Sequence, residues 1–437
     1  MDNLASGLND ILDTCVAGRL LSKLGRRLYF PRGIIAQSAE AKKDAYFANA
    51  TIGMAYQVGR PLMLSAFTRL MPTLTSAEMV AYAPTAGIPE VRELWKAQII
   101  EKNPSLEPNS ISLPVVVPGI TAGISYIADL FLDEGGDFLS GTPAWDNYRL
   151  IFEGRRGGNL IEIPFFNTES AKNGLDIENI TVKIRQEAQK GAIRLILNFP
   201  NNPSGYSPTV AEQDALVDCI VGAAEGGCDV LVVSDDAYFG LFYEADTCKE
   251  SVFSRLCSAH ERILAVKADG PTKEDYSWGF RLAMLTFGSK GMNSAQFDAL
   301  TTKTMGAIRS SVSCSNTPSQ SFLIKTYKDE KTNAEKAELF DLLKLRYLAV
   351  KKIVGENENH PVLQALPFNS GYFMSFLCKG VDAETLRLEL LKKHGIGTVS
   401  IDEKYLRVAF SALESFDVDK VFKIIYQTAR DLVGFAA

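Results

Sequence analysis

The sequence has few histidines and no paired cysteines. Its 437 residues include only three histidines, and no two of them stand at the spacing that metal ligands take on a helix. The seven cysteines are scattered, odd in number and free of any CxxC pair. Such cysteines are typical of reduced thiols, so we expect a cytoplasmic protein with neither a zinc site nor a disulfide framework.

The sequence also lacks long apolar runs and basic clusters. No run approaches the roughly 20 apolar residues that cross a bilayer, and the N-terminal stretch MDNLASGLNDILD has acidic residues where a signal peptide has basic ones. The formal net charge is -6, and Lys and Arg are not concentrated as binding to a phosphate backbone requires. These absences argue against membrane and nucleic acid as partners and favour a small molecule.

The sequence does contain a series of short apolar runs rich in Val, Ile and Leu. Helical patterns such as TAGISYIADLFL and TVAEQDALVDCIVGAAEGG lie between many of them. Strands that alternate with helices indicate an α/β fold with a mainly parallel sheet covered on both faces. The runs predicted to be strands are residues 114–119, 138–145, 159–165, 192–200, 229–238, 262–270 and 281–288.

Length and hydrophobic content predict two domains. With 46% hydrophobic residues the chain can bury a substantial core, but single cores stop growing at about 250 to 300 residues. We predict a large α/β domain over residues 70–310. The N-terminal segment 1–69 and the C-terminal part 311–437, with strands predicted in GYFMSFL and YLRVAFS, would form a smaller α+β domain.

Unusual residues follow five of the predicted strands. In an open α/β sheet, ligands bind beyond the carboxyl ends of the strands. We therefore expect one edge of the sheet to carry GITAG after PVVV, Trp145 after FLSGTP, NNPSG after LILNF, Asp235 and Tyr238 at the end of VLVVS, and Lys273 after ILAVKA.

Lys273 and Arg281 are the most informative pair. Lys273 stands in DGPTKEDYSWGFR after a predicted strand, and Arg281 stands eight residues later at the start of the next one. A lysine whose amine is desolvated or crowded by positive charge is partly neutral and can form a Schiff base with an aldehyde cofactor. An arginine nearby can bind a phosphate with a fork of donors.

The order and spacing of these motifs resemble those of the fold-type I pyridoxal-phosphate enzymes, specifically the class I/II aminotransferases related to aspartate and aromatic aminotransferases. The resemblance runs from about Asn49 to Arg407. It implies a seven-stranded, mainly parallel sheet flanked by helices, with pyridoxal 5'-phosphate as the cofactor. It also implies that Lys273 is the Schiff-base lysine and that Arg281 binds the cofactor phosphate.

The resemblance implies three contacts to the cofactor ring. Asn202, in NFPNNPSG, matches the asparagine that hydrogen-bonds the ring oxygen, and Tyr238 matches the tyrosine that faces this oxygen. Asp235, in SDDAYFG, matches the aspartate beneath the pyridine nitrogen. A buried carboxylate keeps this nitrogen protonated, and the protonated ring withdraws electrons from the substrate α-carbon. Asp236 is the weaker candidate because strand alternation turns it to the other face.

Further contacts to the cofactor are implied before a helix and after a strand. Ile120 and Thr121, in GITAG, match the positions that cradle the phosphate, where the N–H groups of a helix N-terminus favour an anion. Trp145, in TPAWDNY, matches the aromatic residue that stacks on the cofactor ring.

The resemblance also implies substrate contacts. Arg407, in YLRVAFS, matches the arginine that binds the substrate α-carboxylate, with Asn202 assisting. A charged residue in an otherwise apolar strand needs a partner in any case. Gly53 matches a small residue at the substrate entrance, and Tyr82 matches a tyrosine that reaches the phosphate across a dimer interface. Tyr82 therefore predicts a homodimer with shared active sites.

The sequence departs from the family pattern at two places. Three residues before the lysine the family usually has a serine or threonine bound to the phosphate, whereas this sequence has Gly270, with Thr272 directly before Lys273. One phosphate hydroxyl is thus expected to be missing, whereas Thr272 is predicted to contact the cofactor. Arg309, in GAIRSSVSCSN, corresponds only loosely to the partner-chain arginine that selects dicarboxylic substrates, and a solvated arginine at a helix end is the alternative.

These residues predict a homodimeric aminotransferase with ping-pong chemistry, in which Lys273 moves a proton to and from the substrate α-carbon. The predicted substrates are an amino acid, with aspartate and aromatic amino acids as candidates, and a 2-oxo acid such as 2-oxoglutarate. Two alternatives stay open. One is a lyase, decarboxylase or cyclopropane-forming synthase on the same fold, and the other is a regulator that binds the cofactor without turnover.

Overall fold

The computed structural model describes residues 3–14, 21–29, 33–168 and 174–434. Their strands, numbered in chain order, are β1 Ala48–Asn49, β2 Tyr56–Gln57, β3 Arg60–Pro61, β4 Val115–Val117, β5 Asp137–Thr142, β6 Asn159–Pro164, β7 Ala192–Asn198, β8 Asp229–Asp235, β9 Ile263–Asp269, β10 Ala283–Gly288, β11 Leu363–Ala365, β12 Phe373–Cys378, β13 Ile396–Gly397, β14 Val399–Ile401 and β15 Tyr405–Ala409.

Helices separate most of these strands. The α-helices of the described residues are Asn3–Leu12, Lys23–Arg27, Ile34–Asp44, Ser65–Leu70, Ser76–Val80, Pro89–Lys102, Ile120–Phe131, Asn147–Arg149, Ile177–Ala188, Val210–Glu225, Val252–Leu256, Ser294–Arg309, Thr317–Lys328, Thr332–Glu356, Ala383–His394 and Val418–Val433. None of them combines the length and the apolar character that crossing a bilayer requires.

The large sheet contains seven strands in the order β4-β10-β9-β8-β7-β5-β6. They are the seven strands predicted from the apolar runs, and the predicted fold class is confirmed. All of them run parallel except β10, which is antiparallel to both β9 and β4. The start of β10 therefore lies at the same edge as the ends of the other strands. This reversal brings Arg281, just before β10, to the edge where the sequence motifs converge.

Both faces of the large sheet are buried, which explains why its strands are continuous apolar runs. Val230 and Val232 of β8 belong to one core, together with Trp95 of the helix Pro89–Lys102. The intervening residue, Leu231, belongs to a second core on the other face, together with residues of the helix Ile120–Phe131.

A second, antiparallel sheet has the order β11-β12-β15-β14 and packs in a third core with the C-terminal helices. GYFMSFL and YLRVAFS supply β12 and β15, as predicted. The N-terminal segment joins this part, because β1 pairs with β13. The domain boundaries at residues 70 and 310 remain a prediction, since Phe322 lies in the third core while its neighbour Leu323 lies in the first.

Candidate active site

A cavity of about 280 Å³ opens at the edge of the large sheet where the parallel strands end. The loops after β4, β5, β7, β8 and β9 all contribute to it, and so does the segment before β10. Its lining residues are Ile34, Gly53, Ile120, Thr121, Trp145, Asn198, Asn202, Asp235, Ala237, Tyr238, Thr272, Lys273, Arg281, Phe373 and Arg407.

Eleven residues predicted from the sequence lie together in this lining, and two do not. Tyr82 is 93% exposed. Arg309 is also exposed, and its guanidinium contacts Ser313. Both were predicted to act in the site of a second subunit, so their roles remain predictions. The sequence reasoning did not select Ile34, Asn198, Ala237 or Phe373, whose apolar or amide side chains carry no local signal of a site.

Lys273 lies in the turn that follows β9. Its Nζ donates a hydrogen bond of 2.9 Å to the carbonyl of Gly53 and lies 4.9 Å from the ring centroid of Tyr238. Burial lowers the pKa of the Lys273 amine to about 7, and the positive charges of Arg407 and Arg281 act in the same direction. Near neutral pH a large fraction of the amine is therefore uncharged and able to attack an aldehyde.

Ion pairs hold the two residues that follow Lys273. Glu274 pairs with Lys102 at 2.6 Å, and Asp275 pairs with Lys336 at 2.5 Å. These contacts tie the lysine turn to the helices Pro89–Lys102 and Thr332–Glu356. The sequence shows two acidic residues after the lysine but gives no sign of their partners, which are far away in the chain.

Asp235 ends β8 and is 3% exposed. The phenol of Tyr148 donates a hydrogen bond to its Oδ2, and the backbone N–H of Ala237 lies 3.3 Å from its Oδ1. Burial raises the pKa of Asp235 to about 6, Tyr148 opposes this change and the charge of Asp236 adds to it. The carboxylate is therefore mostly ionised at neutral pH. Tyr148 was missed, although it follows Trp145 by three residues in the same motif.

An asparagine pair links the end of β7 to the backbone of Asp235. The side-chain oxygen of Asn198 accepts a hydrogen bond of 2.7 Å from the backbone N–H of Asn202, and its Nδ2 donates at 2.8 Å to the backbone carbonyl of Asp235. The end of β7 and the end of β8 are thereby held together, so that Asn202 is fixed relative to Asp235.

Arg407 points from β15 into the cavity and is 2% exposed. It donates to Oδ1 of Asn202 at 3.0 Å and to the carbonyl of Thr51 at 2.8 Å, and its guanidinium lies 4.3 Å from the ring centroid of Phe373. Burial lowers the pKa of Arg407 to about 10, so it remains charged at neutral pH. Its Nε has no hydrogen-bond partner among the described residues, and a buried charge without a carboxylate partner favours an anionic ligand.

The part of the cavity lining at Gly119 and Arg281 is suited to a phosphate. Gly119 precedes the helix Ile120–Phe131 with φ of 96°, and a Cβ atom at Gly119 would lie 2.4 Å from Nη2 of Arg281. The guanidinium thus packs directly against the start of the helix. Its positive charge and the free N–H groups of the first helical turn converge on one place, which is the arrangement that binds phosphate at a helix N-terminus.

The departure at Gly270 has a steric reason. A Cβ atom at this position would lie 2.8 Å from both the carbonyl oxygen of Leu282 and the Cα of Ala283, so the neighbouring strand leaves no room for a serine or threonine. Thr272, two residues later, lines the cavity instead. A contact of Thr272 with the cofactor remains a prediction.

One cavity thus contains an amine of lowered pKa, a buried carboxylate, an aromatic face and an anion cradle. Trp145 supplies the aromatic face, and together these groups fit a phosphorylated aromatic aldehyde such as pyridoxal phosphate. The class of protein defined by this fold and site is a pyridoxal-phosphate enzyme.

The chain belongs to the aminotransferase class I and II family, whose family model matches residues 61–425. Pyridoxal phosphate is the cofactor of this family, as the sequence resemblance implied. The family assignment predicted from the motifs is therefore confirmed.

Individual relatives match only part of the chain and at low identity. A probable aspartate/prephenate aminotransferase of Aquifex aeolicus is 29% identical over 160 residues, 36% of this chain and 36% of the relative. A 1-aminocyclopropane-1-carboxylate synthase 6 of Oryza sativa is 25% identical over 170 residues, 38% of this chain and 30% of the relative. The matched part of the chain spans about a third of the length of these curated relatives.

The fold similarity covers much more of the chain. The crystal structure of an aminotransferase from Anaerococcus prevotii superimposes with a TM-score of 0.82 at 21% identity, covering 94% of this chain and 99% of the other. At this identity the similarity establishes the fold alone.

Proposed function

We propose that this chain is a pyridoxal-phosphate-dependent aminotransferase, which moves the α-amino group between an amino acid and a 2-oxo acid such as 2-oxoglutarate. The observation that carries the proposal is the meeting of Lys273, Asp235 and Arg407 in one cavity. A nucleophilic amine, a carboxylate for the ring nitrogen and a cation for the substrate carboxylate are the three groups that this reaction needs.

Each part of the cofactor has residues of matching chemistry. Lys273 would bind the aldehyde carbon, and Asp235 the ring nitrogen. Asn202 and Tyr238 would face the ring oxygen, and Trp145 would stack on the ring. The phosphate would contact Ile120, Thr121, Thr272 and Arg281. When bound, the cofactor supplies an electron-withdrawing ring that makes the substrate α-proton acidic.

Other residues of the same cavity would hold the substrate. Arg407 would bind the α-carboxylate, with Asn202 assisting, and Gly53 leaves space at the entrance. Nζ of Lys273 then accepts the proton of the substrate α-carbon and returns a proton to the product. Because the pKa of this amine is lowered to about 7, it can serve as base and as acid near neutral pH.

A homodimer in the cytoplasm belongs to the same proposal. Tyr82 is 93% exposed, as expected for a side chain that reaches the phosphate in a second subunit. Large apolar side chains near it in sequence are also exposed, and a subunit interface would cover them. They are Val58, Met63, Met71, Met79 and Val80.

The test is incubation of the purified protein, loaded with pyridoxal phosphate, with single amino acids and 2-oxoglutarate. We expect the cofactor spectrum to change and glutamate to form, and the Lys273→Ala variant to form none. Ammonia, sulfide or carbon dioxide without amine transfer would instead favour a lyase or decarboxylase. A cyclopropane amino acid, formed with loss of a γ-substituent from the substrate, would favour the synthase, which the similarity to the synthase of Oryza sativa keeps as a second candidate. A spectrum that no amino acid changes would favour a regulator without turnover.

A further inference from the structure

A buried lysine lies between two carboxylates on the face of the large sheet that is turned away from the cavity. Lys267, on β9, is 1% exposed. Its ammonium group forms an ion pair with Asp236 and lies 3.5 Å from Oδ2 of Asp269. The ring centroid of Phe239 lies 4.2 Å from the same Nζ. None of these residues contacts the cofactor or the substrate in the function proposed above.

Both carboxylates have further hydrogen-bond donors. Ser251 donates to Asp236 at 2.6 Å, and the indole N–H of Trp95 donates to Asp269 at 2.9 Å. Lys267 also stands between Ser234 and Thr286 in the sheet register, and the hydroxyls of these two residues have no hydrogen-bond partner among the described residues. Apart from the ring of Phe239, the groups named here around Lys267 are polar, and the three charged side chains are one cation and two anions.

Strand alternation connects this cluster to the active site. Asp235 and Asp236 are consecutive, so one carboxylate lines the cavity and the other points to the opposite face. Tyr148, Tyr238 and Lys273 are the titratable side chains that interact with Asp235 from the cavity side.

The titratable groups around Lys267 lie on several elements. Besides Asp236 after β8 and Asp269 on β9, they include the thiol of Cys257, beyond the helix Val252–Leu256, and Glu274 in the lysine turn. The positive charge of Lys267 favours the ionised form of both groups. Lys102, on the helix Pro89–Lys102, is a second cation whose charge favours the ionised form of Asp269.

Asp236 connects the charges of this cluster to Asp235. The negative charge of Asp236 raises the pKa of Asp235, and such effects are strong where both groups are buried. Burial lowers the pKa of Lys267, but its two carboxylates raise it above the ordinary lysine value, so Lys267 is a permanent cation at neutral pH.

We propose that Lys267 is a positioning residue of the active site, which balances the negative charges of Asp236 and Asp269 so that Asp235 keeps its own negative charge. The inference rests on the proposed function, because a cofactor with a cationic ring nitrogen is what requires a charged Asp235. An ion pair that served only to stabilise the fold would leave the titration of Asp235 unchanged.

The test follows the carboxyl carbon of Asp235 by NMR in protein that is labelled with carbon-13 aspartate and freed of cofactor. The resonance that Asp235→Asn removes is the reporter. The net charge of Lys267, Asp236 and Asp269 together is -1 in the native protein, -2 in Lys267→Met, 0 in Asp236→Asn, and -1 again when both changes are combined.

We expect the midpoint of the Asp235 titration to follow this charge. It should rise by about one pH unit or more in Lys267→Met and fall in Asp236→Asn. In Lys267→Arg, and in the variant that combines both changes, it should stay near the native value. If Lys267→Met does not fold, Asp236→Asn and the combined variant still test the proposal. The combined variant is expected to fold, because it leaves no unpaired charge at either position of that ion pair.

Equal midpoints in the native protein and Asp236→Asn, or a combined variant that differs from the native protein as much as a single variant does, would overturn the proposal. As a second readout, the affinity for pyridoxal phosphate, measured by equilibrium dialysis, should weaken more for Lys267→Met at pH 6.5 than at pH 8.5. Neither measurement requires turnover. A protein that fails to transfer amines could therefore still show the shift, and an aminotransferase could lack it.

Discussion

The guanidinium of Arg407 donates a hydrogen bond of 3.0 Å to the side-chain oxygen of Asn202, across 205 positions of the chain. The contact joins the antiparallel sheet of the C-terminal part to the loop after β7. Because the α-carboxylate of the substrate is expected to bind these two side chains, the small sheet and the large sheet would hold the substrate together.

Replacement of Arg407 by lysine should therefore weaken substrate binding. Lysine keeps the charge but loses the planar fork that can hold a carboxylate with two hydrogen bonds. We expect kcat/KM for amino donors to fall roughly 30-fold or more. Steady-state kinetics with several donors checks this, and an unchanged KM would contradict the assignment. Arg185→Lys is the matched control, since Arg185 is exposed and lies outside the cavity. In a separate variant, Arg309→Ala, a loss restricted to acidic donors would indicate that Arg309 reaches the site of the second subunit.

Removal of the Tyr148 hydroxyl should raise the pKa of Asp235. The native pKa is about 6, and the hydrogen bond from Tyr148 opposes the rise that burial causes. In Tyr148→Phe a larger fraction of Asp235 is protonated near pH 7, so the affinity for pyridoxal phosphate should fall at pH 6.5 and recover at pH 8.5. Equilibrium dialysis at the two pH values measures the difference.

Tyr126→Phe is the control for this comparison, because Tyr126 is also buried but its hydroxyl contacts Ser311 at 2.8 Å. A pH-independent loss of affinity in Tyr148→Phe would mean that the hydroxyl acts through packing.

The low pKa of Lys273 should appear in the stability of the protein freed of cofactor. The amine titrates near 7 in the folded chain and near 10.4 in an unfolded one, so between these values the unfolded state binds more protons. The stability of the native protein therefore rises with pH in this window. Lys273→Met lacks this dependence, so its stability relative to the native protein should be greatest at pH 7 and should decline towards pH 10.

Urea unfolding at pH 7 and pH 9.5 tests the change in stability. Lys303→Met, at an exposed lysine of the helix Ser294–Arg309, is the control for loss of an ordinary lysine. An equal stability difference between Lys273→Met and the native protein at both pH values would argue against a lowered pKa.

The residues at the strand ends could be predicted from the sequence because each is marked locally. Lys273 and Asp235 each follow an apolar run, and the rule that parallel strands end at one edge brings them together. Tyr148 and Lys267 could not be predicted in this way. Lys267 lies within an apolar run and its partner Asp236 is 31 positions away, so the ion pair depends on which strands are neighbours. The sheet order, which apolar runs do not encode, supplies this information.

The steric fit between Gly119 and Arg281 leads to the last prediction. A Cβ atom at Gly119 would lie 2.4 Å from Nη2 and 2.9 Å from Cζ of Arg281, so Gly119→Ala should displace the guanidinium from the start of the helix Ile120–Phe131. The new residue also has to adopt a φ of 96°, which costs about 1 to 3 kcal/mol of stability.

Gly191→Ala separates the two effects. Gly191 has a φ of 83°, but a Cβ atom there would meet no atom within 4 Å. Both variants should lose similar stability in urea unfolding, whereas only Gly119→Ala should bind pyridoxal phosphate at least about tenfold more weakly, because a hydrogen-bonded, charged contact to the phosphate is lost. Free pyridoxal, which has no phosphate, should bind the two variants equally. If Gly119→Ala weakened the binding of pyridoxal as much as that of its phosphate, Arg281 would act on the cofactor ring or on the fold of the site, and the phosphate would have to be bound elsewhere.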